Sequence, residues 1–211
     1  MPGTESKQPS DSRITMPDDG PMSPEQDAVY QKIVSGKRGK IVGPLRPLLH
    51  SPELADRVQS LGEYVRYDTT LPQQLSELTI ICVGRYWNCQ LEWSIHADIA
   101  VDAGVDIDIV EAIRKAEPPT LQNPKQIAVY EFTRELLEFG QVSEAAHKNA
   151  LSLLGEKSLV ELTGIIGYYT MIAMTLNAHH VPLPEKGKIR LLELPATLDK
   201  LKPTCLPAPL L

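Results

Sequence analysis

Three times in this chain a proline directly follows a residue able to cap a helix, and this grammar limits the possible fold more than any other feature. In Ser23-Pro24-Glu25-Gln26 the serine can act as N-cap, the proline fits the first helical position, and Gln26 can close a capping box. Ser51-Pro52-Glu53 and Asn123-Pro124 repeat the pattern, and Asp106 and Ser143 are further N-cap candidates. Gly36, Gly104, Gly140 and Gly155 fall where the corresponding helices would stop. Apolar residues recur at helical spacing, as in Val129, Phe132, Leu136 and Phe139, while strand alternation, hairpin dipeptides and a βαβ rhythm are missing. The sequence therefore predicts an all-α fold of about eight helices.

A chain of 211 residues with 42% hydrophobic content suits one packed domain. Residues 1–22 are rich in Ser, Pro, Asp and Gly and read as a mobile N-terminal arm. Residues 23–183 form the expected helical domain. Residues 184–211 turn to Pro, Leu and Lys, and their prolines forbid a continuous helix, so they read as an extended tail packed on its own or a neighbouring subunit. The stretch from Lys157 to Ala178 is apolar on most sides and should be central in the fold or covered by another subunit. With the leucine-bearing tail it offers more apolar surface than a small α-domain readily covers, hence the expectation of a homo-oligomer.

Several function classes are excluded at this stage. No apolar run reaches the roughly 20 residues of a membrane span, and the N-terminus lacks the apolar core of a secretory signal, so a cytoplasmic protein with no membrane partner is expected. Cys82, Cys89 and Cys205 are too few and too uneven for a disulfide framework. A net charge of −6 gives no nucleic-acid footprint. Lys37-Arg38-Gly39-Lys40 is too short for a basic patch and reads as a solvated connector. His50, His147 and the adjacent His179 and His180 show no metal-ligand spacing, so neither a metal nor another cofactor is expected.

The chemistry-bearing stretch runs from Leu75 to Ala97. Pro72 can open one helix, and Asn88 can cap a second that ends at Gly104. On the second helix Cys89, Glu92 and His96 stand at i, i+3 and i+7 and share a face. Glu77 precedes Cys89 by 12 residues, which on one unbroken helix would put it about 120° from that face. A break near Trp87-Asn88 is what can bring Glu77 back to the cluster.

This pattern of Glu77, Cys89, Glu92 and His96 resembles the signature of the carboxymuconolactone decarboxylase and alkylhydroperoxidase D-like family. The entry Leu45-Arg46-Pro47-Leu48-Leu49-His50-Ser51-Pro52-Glu53-Leu54, the lead-in Tyr67-Asp68-Thr69-Thr70-Leu71-Pro72 and the core Glu92-Trp93-x-x-His96 agree with it. The resemblance spans roughly Ser23 to Leu183. It implies an all-helical subunit, assembled as a trimer or hexamer, with the cluster in a pocket near a subunit interface. The family's peroxidase branch carries Cys-x-x-Cys, its second cysteine attacking and its first resolving. Here Glu92 holds the second position, so the decarboxylase-like branch is the nearer one.

On this reading His96 moves the proton, Glu77 and Glu92 orient it and tune it, and Cys89 is a supporting donor or pocket wall. Arg46 and Arg85 are candidates to take a substrate carboxylate bidentately, and Trp93 and Tyr86 are core residues or pocket wall. Cys82 is assigned to packing and Cys205 to the tail. The expected reaction is cofactor-free decarboxylation or isomerisation of a small carboxylated lactone or oxo acid. Two alternatives stand beside it: a thiol peroxidase using Cys89 alone, and a non-catalytic protein that binds a small acid or a partner.

Overall fold

The computed structural model describes residues 12–183 and 203–211. Among them eight α-helices follow in order: α1 (Pro24–Ser35), α2 (Leu45–Leu48), α3 (Pro52–Tyr67), α4 (Gln73–Tyr86), α5 (Gln90–Asp102), α6 (Ile107–Lys115), α7 (Pro124–Phe139) and α8 (Glu144–His179). The described residues contain no strand, only an isolated bridge between Thr120 and Leu210. The class is all-α.

The local signals act as their chemistry dictates. Ser23 accepts from the Gln26 amide while its own amide donates to Gln26 Oε1 at 2.9 Å, a complete capping box. Asp106, Asn123 and Ser143 accept from amides in the first turns of α6, α7 and α8. Ser51 precedes α3 without making such a bond. Gly155 does not end its helix outright: at φ 79° and ψ 165° it kinks α8, a left-hand φ that glycine adopts without a Cβ penalty.

The segment from Lys157 to Ala178, expected to be central or covered by another subunit, lies in α8, and the most fully enclosed helix of the chain is α4, buried at every position from Leu75 to Arg85. It packs against α5, α6, α7 and α8. By length and composition α8 would also suffice to cross a membrane, which the run-length reading did not anticipate. It packs along α3, α4 and α7, leaving Val160, Gly164, Gly167 and Met174 on an exposed stripe. Two apolar clusters form, one drawn mainly from α1, α3, α4, α7 and α8, the other from α4, α5, α6 and α7.

The N-terminal arm needs correcting for residues 12–22; residues 1–11 lie outside the described part. Met16 is buried, the Arg13 amide and Ser12 Oγ donate to the His179 carbonyl at 2.9 and 3.0 Å, and Asp18 and Asp19 pair with Arg46. The end of α8 leaves carbonyls without partners, and this segment supplies donors to them. Of the tail, residues 184–202 lie outside the described part. Residues 203–211 run extended along the chain itself: the Thr204 amide donates to the Tyr86 carbonyl, Tyr130 Oη to the Pro207 carbonyl, and Leu206 is buried in the second cluster.

Candidate active site

The site depends on the turn between α4 and α5. The helix ends in a Schellman pattern, with the Cys89 amide donating to the Gly84 carbonyl at 2.8 Å and the Asn88 amide to the Arg85 carbonyl at 3.1 Å. Asn88 sits at φ 52°, a left-handed conformation that asparagine tolerates better than most residues. Its role therefore differs from the expected N-cap: it closes α4, and Cys89 takes the N-cap position of α5. Reversing the chain here makes α4 and α5 antiparallel neighbours, so residues at similar distances from the turn meet. Glu77 and His96 do so, with Nδ1 2.7 Å from Glu77 Oε2 in a buried contact.

Glu92 behaves differently from the relay member it was expected to be. It is 2% exposed and neither carboxyl oxygen has a hydrogen-bond partner, so it is not bonded to His96 although it lies one turn away. Burial first, and the Glu77 charge second, push its pKa well above the ordinary carboxylate value. The shift favours the neutral acid, the form that can donate a proton or a hydrogen bond.

Glu92 and His96 line a cavity of about 980 Å³. Its walls come from α5, α8, the end of α3 and the connector that follows α1. Tyr169 packs its ring edge-to-face on His96 at 5.1 Å between centroids, and Tyr168 packs likewise on Tyr169 at 5.2 Å. Burial raises the pKa of both phenols, so they are neutral hydroxyl groups.

Cys89 does not join this surface. It is 1% exposed within the first apolar cluster, and burial, reinforced by Glu92, pushes its thiol pKa up despite the favourable amides of Leu91 and Glu92. Cys82 is buried in the other cluster and shifted upward for the same primary reason. Neither environment favours a thiolate.

The four expected substrate contacts also need correction. Arg46 reaches the cavity edge, but its guanidinium is engaged by Asp18, at 3.0 and 2.8 Å from Nε, and by Asp19. Arg85, Tyr86 and Trp93 do not line the cavity. Arg85 donates to Asn88 Oδ1 and to Thr204 Oγ1 under the C-terminal tail. Tyr86 packs its ring on Trp87, and Trp93 is wholly enclosed in the second cluster. Their positions follow from the hairpin's packing: α5 alone contributes a face to the cavity, while α4 is enclosed by α5, α6, α7 and α8.

Among the cavity residues that the sequence did not single out are Arg38, Arg66, Tyr168 and Tyr169. Arg38 belongs to the segment taken for a solvated connector, yet it is half-buried and its Nε is enclosed without a partner. A usable signal was the Tyr168-Tyr169 pair, since two phenol hydroxyls inside an apolar helix need polar surroundings. Among the described residues no group of three His, Cys, Asp or Glu side chains is placed to hold a metal ion.

An all-α subunit with an acid and imidazole pair on a helical hairpin defines the structural class, and its fold is that of the alkylhydroperoxidase D-like proteins. A peroxidase-related protein from Ralstonia eutropha JMP134, described as an alkylhydroperoxidase AhpD core, superposes with a TM-score of 0.67 at 15% identity, covering 82% of this chain and 93% of its own. A peroxidase-related protein from Silicibacter sp. TM1040 gives 0.65 at 14% identity over 84% and 93%. The debrominase Bmp8, in complex with 2,3,4-tribromopyrrole, gives 0.65 at 15% identity over 83% and 95%. No protein-family model and no curated protein sequence matches the chain. At these identities the likeness establishes the fold.

Proposed function

We propose that the protein is a cofactor-free enzyme that decarboxylates or isomerises a small carboxylated lactone or oxo acid by proton transfer at His96 and Glu92. The observation that carries this reading is the buried Glu77–His96 contact beside a buried carboxyl with no protein partner, His96 and Glu92 both facing one cavity. In decarboxylation the bond to the carboxylate carbon breaks, CO2 leaves, and the electron pair delocalises onto a neighbouring carbonyl oxygen. Glu92, held neutral, donates a hydrogen bond to that oxygen, where stabilisation of developing charge counts most. His96 then delivers a proton to carbon and recovers one from water. Glu77 holds Nδ1 and leaves Nε2 for the substrate. In isomerisation the same imidazole removes and returns a proton, with Glu92 again at the oxygen. Cytoplasmic location and assembly of several copies of the chain are part of the same proposal.

Carboxymuconolactone is the substrate to try first. CO2 release should accompany its conversion, and His96→Gln should lower turnover by about 10²–10⁴-fold, the usual contribution of general acid–base catalysis. A flat CO2 trace at high enzyme concentration removes that substrate, and full activity in His96→Gln removes the mechanism.

A further inference from the structure

We propose that Arg38, Arg66 and Tyr168 form a carboxylate-binding subsite at one end of the cavity, separate from the reacting groups and selecting ligands that carry a carboxylate on a small ring. The inference rests on the proton-transfer reading only for where the reacting carbon lies. Its own basis is charge and geometry.

All three side chains line the cavity. Arg38 Nη2 is 3.5 Å from Tyr168 Oη, and Arg38 Nε is enclosed without a partner, so the planar fork still has donors to satisfy. Neither Arg38 nor Arg66 forms an ion pair among the described residues, whereas Arg46 on the same wall is already neutralised by Asp18 and Asp19. Arg66 is close enough for its charge to act on both tyrosines. A partly buried guanidinium with free donors is costly, and a bidentate carboxylate is the ligand its geometry fits.

Space for this arrangement is made on α3. A Cβ at Gly62 would collide with Tyr168 Oη and with Arg38 Nη2, so the glycine opens the seat that both polar ends occupy. Glycine within a helix costs roughly 1 kcal/mol relative to alanine, and at this position that cost is tied to two cavity side chains rather than to a turn. Tyr169 links this end to the reacting end, standing edge-to-face on Tyr168 at 5.2 Å and on His96 at 5.1 Å. The two tyrosines thus separate an anion seat from the imidazole by two ring contacts. A ligand bridging them needs a small ring between its held carboxylate and its reacting carbon.

Calorimetric binding of benzoate and of its neutral isostere benzamide to the full chain tests the assignment without any turnover. Benzoate should bind at least tenfold more tightly than benzamide, and Arg38→Gln and Arg66→Gln should each weaken benzoate about tenfold or more, as expected for a lost charge-assisted hydrogen bond. Gly62→Ala should weaken benzoate by displacing the Arg38 and Tyr168 ends. Binding is read without turnover, so failure of the reaction reading and failure of this subsite are read separately. No benzoate binding at millimolar concentration, equal affinity for benzamide, or unchanged affinity in Arg38→Gln would each overturn the subsite. Equal displacement of benzoate by inorganic phosphate would overturn its assignment to carboxylates.

Discussion

The α4–α5 hairpin has two sides, and they treat buried polar atoms in opposite ways. On one side the Glu92 oxygens lack protein partners but border a cavity of about 980 Å³. On the other, Trp93 Nε1 and Arg85 Nε also lack partners, yet neither residue reaches that cavity. Glu92 and Trp93 are adjacent in sequence, and adjacent residues on a helix face different neighbours. An unsatisfied buried group costs stability in either place. Only beside the cavity can a ligand supply the missing partner, so the same cost has a chemical use on one side and none on the other.

The comparison breaks most readily at Trp93, where the largest stability effect is expected. Trp93→Ala empties a fully enclosed site in the second apolar cluster and should cost about 3–5 kcal/mol of stability by denaturant titration. Below its unfolding transition the variant should keep the native turnover and benzoate affinity. If it remains folded but loses ligand affinity in proportion, the two sides are coupled and the division drawn between them is wrong.

How much of this was legible beforehand depends on distance along the chain. Capping residues and helix stops act within one turn, so Ser23, Asn123 and Gly140 could be read directly. The Glu77–His96 contact was legible once a break near Trp87 was inferred, because the turn sets which residues of the two helices meet. The spacing of Glu92 and Trp93 separates their faces but does not say which face other elements will cover. That depends on α6, α7 and the last residues of the chain, remote in sequence. Arg38 shows the same limit from the other direction: a short basic connector looks solvated until α3 and α8 are placed beside it.

Glu92→Gln sharpens the comparison through pH and should have a smaller effect. The folded-state pKa of Glu92 is raised, so its contribution to stability is fully present below the unfolded value, near 4.5, and is lost as pH rises through the folded pKa. Glutamine cannot ionise, so the substitution should stabilise the fold at pH 8 relative to pH 4, measured as the change in unfolding midpoint against the parent. Turnover should fall about 10²-fold, roughly 2.7 kcal/mol, through loss of the acid. The residual activity should lose the decline at high pH that ionisation of Glu92 imposes on the parent. A stability difference that does not vary with pH would mean that Glu92 is charged in the folded protein.

The smallest effect is expected at Cys89, and its smallness is what makes it informative. A thiol serves as nucleophile in its thiolate form and needs access to its target. Cys89 has neither: it lies in an apolar cluster, 1% exposed, with burial raising its pKa. Cys82 is equally enclosed, whereas Cys205 is exposed near the end of the chain. Brief iodoacetamide treatment of the native protein should therefore label Cys205 and spare the other two, with all three labelled after denaturation. Cys89→Ser should leave turnover within a few-fold of the parent, since the substitution exchanges a small buried group outside the cavity. Stoichiometric peroxide should leave no sulfenic acid on Cys89, because the oxidation ladder begins from the thiolate. Rapid modification of Cys89 in the native protein, or loss of turnover in Cys89→Ser, would move the chemistry from the imidazole to sulfur.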